Sequence, residues 1–171
     1  VTGGMESMSN SPHYLNVRKG NKSGDMHLID GMVKDGLWDP YFNFHMGNAA
    51  EMTVRKYNLS REAIDNYAIQ SYEKAQQATA KNKFEAEIIP VTFEQKNGTS
   101  VVNRDEDIAK IILEKVPKLK PTFEENGVLT AANSSNLNDG AAALILASKE
   151  AVQKYKLKPL ARIVSYADAA Q

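Results

Sequence analysis

Residues 130–143 are the part of the chain whose types and spacing come nearest to chemistry. They read Thr130-Ala131-Ala132-Asn133-Ser134-Ser135-Asn136-Leu137-Asn138-Asp139-Gly140-Ala141-Ala142-Ala143, then run into the apolar Leu144-Ile145-Leu146. Tiny and polar residues in series let a backbone approach a ligand, or another backbone, closely. Asn138-Asp139-Gly140 is turn chemistry. The run reads either as a ligand-contacting loop or as a buried loop feeding a core strand. His45, one of three histidines, stands next to Met46, whose flexible thioether can fill an irregular pocket. Lys115 begins the basic run Lys115-Val116-Pro117-Lys118-Leu119-Lys120, which by composition is a solvated face. By physics alone, Leu37 and Tyr72 read as core residues and Ser135 as a turn-stabilising hydroxyl. The chain has no cysteine, hence no disulfide, no thiolate metal site and no thiolate nucleophile among these residues.

Around these residues, 171 amino acids can build one ordinary domain or pieces of two. Apolar content of 42% and charged content of 25% suit a globular protein. Lys plus Arg and Asp plus Glu each number 21, so the net charge is zero and non-specific nucleic-acid binding is not expected. No apolar run approaches the ~18–20 residues of a membrane span. Val1-Thr2-Gly3-Gly4-Met5 is neither a signal nor a transit sequence, and the chain reads as an internal piece of a longer one.

The elements that must position the candidate residues are mixed. Residues 10–30 are polar and turn-rich, an exposed excursion with hairpin character. Met46, Ala49, Ala50, Val54 and Tyr57 have helical spacing. Ser60 caps a second predicted helix with the stripe Ile64, Tyr67, Ala68, Ser71, Tyr72, Ala75. Glu87–Phe93 reads as a strand containing Pro90, hence an edge or a bulge, followed by the Asn97-Gly98 hairpin signal and Ser100-Val101-Val102. Arg104–Lys120 is charged. Val128–Ala132 and Leu160–Tyr166 read as strands, Ala141–Ala147 fits a buried strand or, by periodicity alone, a helix, and Ser148 caps a helix through Lys156. The class is α/β or α+β.

The run at 130–143 resembles the signature of the thiolases. Four further blocks match that family in order: Gly3-Gly4-Met5-Glu6-Ser7-Met8-Ser9, Asp35-Gly36-Leu37, His45-Met46-Gly47 with Ala50-Glu51, and Pro159-Leu160-Ala161-Arg162-Ile163. His45-Met46 resembles the short-chain, acetoacetyl-CoA branch of mitochondrial type. The resemblance implies a layered α/β fold made of two core domains, with an α+β loop domain inserted in the first. Residues 1–7 would end the first part of the N-terminal core. Residues 8–137 would be the loop domain that covers coenzyme A, 138–159 a return to the N-terminal core, and 160–171 the start of the C-terminal core. The excursion at 14–30 resembles the family's tetramer-forming loop, so the implied partner is a second copy of the chain in a homotetramer.

The implied activity is that of an acetyl-CoA C-acetyltransferase. It condenses two acetyl-CoA into acetoacetyl-CoA and coenzyme A, and runs the reverse thiolysis. The family's catalytic Cys and His residues fall outside these 171 residues, so this stretch would supply binding and pocket shape. A catalytically silent thiolase-like scaffold is the rival reading. By resemblance Leu37, Tyr72 and Ser135 would touch coenzyme A, and His45 with Met46 would line the acyl pocket. Lys110 and Lys115 would lie near the nucleotide. Lys110 stands where the family often has Arg, which keeps the charge and loses the planar fork. Tyr72, Ala131, Ala132 and Ser134 align with a potassium site, Ser134 replacing a common Ala. No other cofactor is implied, and the compartment would be mitochondrial or, alternatively, cytoplasmic.

Overall fold

The computed structural model describes residues 1–18, 20–96 and 98–169, which divide into two compact units. The first comprises Val1–Asn10 and Asn138 onward, the second Ser11–Leu137. The chain is mixed α and β throughout.

In the first unit, β1 (Thr2–Ser7) pairs antiparallel with β8 (Asp139–Leu144), from Thr2 opposite Leu144 to Ser7 opposite Asp139. Gly3 permits that approach, since a Cβ there would meet the Ala142 carbonyl oxygen. After a 3-10 turn at Met8–Asn10, Asp139 closes the ladder by accepting from the Ser9 backbone N–H at 3.0 Å and from the Ser9 hydroxyl. These two donors hold its carboxyl below the usual carboxylate range, the hydroxyl foremost. Helix α4 (Lys149–Tyr155) starts at Ser148, whose Oγ accepts from Ala151 N. None of the described residues of this unit is buried. The strand expected to be buried at Ala141–Ala147 is therefore real over 139–144 but exposed. Its one partner among the described residues is β1, which covers no face. Leu160–Tyr166 forms no strand, having no neighbouring strand among the described residues to accept its hydrogen bonds.

The second unit opens with β2 (His13–Tyr14) paired to β3 (Ile29–Asp30), the two-stranded base of the expected excursion. Lys19 within it, like Asn97, Ala170 and Gln171, lies outside the described residues. A π-helical turn at Val33–Leu37 leads into β4 (Trp38–Asp39), which pairs with β5 (Phe44–His45). The Asp39 carboxylate accepts from Tyr41 N and Phe42 N, and Asn43 takes the positive φ that tightens the hairpin.

Two helices then form the body of the unit. Helix α1 (Met46–Tyr57) ends at Asn58 in the left-handed conformation, and α2 (Arg61–Ala80) begins at Ser60, whose Oγ accepts from Ala63 N at 3.1 Å. Both helices fall where the periodicity predicts them, but their buried faces differ from the expected stripes. Helix α1 buries Gly47, Glu51 and Val54, leaving Met46 and Tyr57 exposed, and α2 buries Asp65 and Ala68, leaving Tyr67 exposed. A stripe chosen by apolarity misses Gly47 and Glu51, which are covered by an aromatic ring and by backbone donors.

Strands β6 (Val91–Gln95) and β7 (Gly98–Val102) form the expected hairpin, with Pro90 just before β6 instead of inside it. The charged stretch that follows folds as a four-residue helical turn, α3 (Asp107–Lys110), and a 3-10 turn at Leu113–Lys118. The core is Val54, Ala68, Val116, Leu129 and Ala132.

Candidate functional site

Hairpin β4–β5 places Trp38 opposite His45, and Leu37, the last residue of the π-helical turn, directly precedes Trp38. His45 is at once the last residue of β5 and the cap of α1. Its Nδ1 accepts from Gly47 N at 2.9 Å, which leaves Nε2 as the ring's other polar atom. The Phe123 ring stacks on the imidazole with centroids 5.1 Å apart and planes 28° from parallel. Gly47 lies beneath that ring, where any Cβ would strike it. His45 is thus held from two sides at a helix start. Leu37 and His45 are half-buried, and Met46 is 43% exposed.

The 128–135 loop is fastened by side chains. Glu51, 2% exposed, accepts from Val128 N at 2.9 Å and Leu129 N at 2.8 Å through one oxygen. Asn133 Oδ1 accepts from Thr130 N at 2.7 Å, and Thr130 Oγ1 accepts from Ala132 N. Asn133 Nδ2 donates to Asp65 Oδ1 at 2.8 Å and to the Val128 carbonyl. Because these amides are taken by side chains, the expected strand at Val128–Ala132 does not form. The segment is a tight loop instead.

On that loop Ala132 is buried, Ser134 half-buried, and Ala131 and Ser135 exposed. Ser134 Oγ is a buried oxygen without a hydrogen-bond partner among the described residues. A hard oxygen left unsatisfied beside small residues suits a monovalent cation, which takes oxygen ligands. Tyr72, half-buried, lies two turns beyond Asp65 on the face of α2 that meets this loop.

The two lysines lie on α3 and the 3-10 turn. Lys110 Nζ is paired with Glu106 at 2.5 Å, which raises the ammonium pKa and lowers that of the Glu106 carboxyl. Lys115 is exposed. Both segments are tied to α2, the first through Gln76 Nε2 to the Ile108 carbonyl at 3.0 Å, the second through Arg61 to the Val116 and Leu119 carbonyls. The structure therefore sets Leu37 one residue before the strand position opposite His45, ties the 128–135 loop to α2 at Asp65, and hangs both lysine segments on α2. Sequence reasoning passed over Arg61, Asp65 and Phe123, and named Glu51 and Asn133 only as parts of the matched blocks, without a role. For Arg61 and Asp65 the signal was their opposite charges four residues apart at the start of α2.

With this arrangement in view, comparison with known proteins assigns the class. The thiolase N-terminal domain model matches residues 1–150, and the chain belongs to the thiolase family. It is 51% identical over 172 residues to the mitochondrial acetyl-CoA acetyltransferase of Mus musculus, covering 99% of this chain and 40% of that protein. A cytosolic acetyl-CoA acetyltransferase of Gibberella zeae is 45% identical over 172 residues, covering 99% of this chain and 43% of that protein. The crystal structure of the Acat5 thiolase from Ascaris suum in complex with coenzyme A superposes with a TM-score of 0.82 at 44% identity, covering 92% of this chain and 40% of that one. The fold is thus the expected thiolase-like α/β arrangement, and the chain spans about 40% of the length of these relatives. No described helix is long and apolar enough to cross a membrane.

Proposed function

We propose that this chain is part of an acetyl-CoA C-acetyltransferase, which joins two acetyl-CoA into acetoacetyl-CoA with release of coenzyme A, and cleaves acetoacetyl-CoA in reverse. The observation that carries the reading is 51% identity over 99% of the chain to a protein of that name. The neighbour in complex with coenzyme A supports an acyl-CoA ligand. Without a cysteine, these residues cannot form the acyl-thioester intermediate. Their part is to bind, orient and exclude water.

In this reading residues 8–137 are the loop domain over coenzyme A, residues 1–7 and 138–159 belong to the N-terminal core, and 160–171 open the C-terminal core. Ser135 holds the pantetheine arm, with Leu37 and Tyr72 against the ligand. Lys110 and Lys115 face the nucleotide phosphates. His45 and Met46 bound the acyl pocket. The caged imidazole supports that role, since a ring fixed by Gly47 N and Phe123 presents its free edge in one direction. Potassium, where present, is held by Tyr72, Ala131, Ala132 and Ser134, with the unpartnered Ser134 Oγ beside them. The excursion at 14–30 joins four copies, and the compartment is mitochondrial.

The test is coenzyme A-dependent cleavage of acetoacetyl-CoA by the full-length protein. Turnover supports the enzyme. Coenzyme A binding without turnover identifies a silent thiolase-like scaffold.

A further inference from the structure

Arg61 and Asp65 stand one turn apart on α2, and their side chains reach in two directions. Asp65, 2% exposed, accepts from Arg61 Nε through Oδ2 at 2.6 Å and from Asn133 Nδ2 through Oδ1 at 2.8 Å. Arg61 Nη2 donates to the Val116 carbonyl at 3.1 Å and the Leu119 carbonyl at 3.0 Å. Val116 lies in the turn that carries Lys115 and Leu119 ends it, and Asn133 is two residues from Ser135. A planar guanidinium can serve a carboxylate and two carbonyls at once; a lysine ammonium at the end of a flexible stem cannot hold that fork. An exposed ion pair would fix little, but this one has a desolvated carboxylate with both oxygens occupied.

From this geometry we infer that Arg61, Asp65 and Asn133 form a positioning bridge. It sets the separation between the Lys115 turn and the Ser135 loop, and so between the holds for the nucleotide and for the pantetheine arm of one ligand. The inference rests on the coenzyme A reading above. In this role the three residues act through Lys115 and Ser135. A long, flexible ligand gripped at two points binds more tightly when those points are fixed beforehand, because less ordering accompanies binding.

The experiment uses the full-length protein with acetoacetyl-CoA and with acetoacetyl-pantetheine, which lacks the nucleotide. Arg61→Lys is expected to raise KM for acetoacetyl-CoA about tenfold with kcat within about twofold, and to leave KM for the pantetheine thioester unchanged. Asn133→Ala is expected to raise KM for both. In a Lys115→Ala background, Arg61→Lys should add no further rise, because both changes remove the same hold. Equal rises with both substrates from Arg61→Lys, full additivity with Lys115→Ala, or a loss confined to kcat or to Tm would overturn the bridge. Wild-type protein that binds no coenzyme A overturns the functional reading and the bridge together. Wild-type binding with unaltered variants overturns the bridge alone.

Discussion

Glu51 carries a carboxylate into a nearly dry position, where one oxygen accepts two backbone N–H groups of the 128–135 loop. Charge-assisted bonds of this kind are stronger than neutral ones, and losing the acceptor strands two donors. Glu51→Ala is expected to lower stability by about 1–3 kcal/mol, while Glu51→Gln keeps an acceptor and loses less. Denaturant unfolding of the two variants side by side checks the order, and equal losses would show that the acceptor is not what matters. Met46 behaves differently. It is 43% exposed, so Met46→Ala should cost little stability. If it bounds the acyl pocket, the kcat/KM ratio should move toward longer 3-ketoacyl-CoA substrates, by the ~1–3 kcal/mol that one or two methylenes command. A ratio that stays put would remove Met46 from the pocket.

At the scale of the elements, helix starts and the loops against them set the geometry. Ser60→Ala removes the Oγ acceptor from Ala63 N at the head of α2 and should cost about 1 kcal/mol in thermal unfolding. Arg55 on α1 holds Glu124 at 2.6 Å, and that hydrogen bond keeps the Glu124 carboxyl below its ordinary value of 4.5. Since the folded-state pKa is the lower one, the native protein binds fewer protons there. The contribution is complete above about pH 4.5 and is lost as pH falls through the depressed value. Arg55→Ala should therefore move the Glu124 carboxyl titration, followed by NMR, back toward higher pH. The side-chain bond from Asn48 persists as a smaller lowering influence.

Across the whole molecule the two units differ in burial. The second encloses Val54, Ala68, Val116, Leu129 and Ala132, whereas Leu144, Ile145 and Leu146 of the first are mostly exposed. On the proposed reading, the remainder of a thiolase covers that apolar strand. The 171 residues by themselves should thus bind apolar dyes and exchange the amides of β8 well before those of α2 around Asp65 and Ala68. Comparable protection in both segments would contradict this. The isolated chain should also show no cleavage of acetoacetyl-CoA above buffer, since it has no cysteine.

Much of this was written locally. Ser60 and Ser148 place the starts of α2 and α4 to within a residue, because caps act over a single turn. The ordered blocks, with Asn138-Asp139-Gly140 in the central one, carry the family, since small residues and turn formers are needed wherever backbones approach closely. Other features depended on partners far along the chain. Whether α1 buries Met46 or Glu51 turns on amides 77 and 78 residues away, and Val128–Ala132 loops because those amides find side chains before they find a strand. The same holds for Arg61, whose role is set by the carbonyls of Val116 and Leu119, 55 and 58 residues along the chain. Propensity and pattern are sums over neighbours in sequence. Burial of a charge is settled by what folding brings against it, and that only the tertiary structure decided.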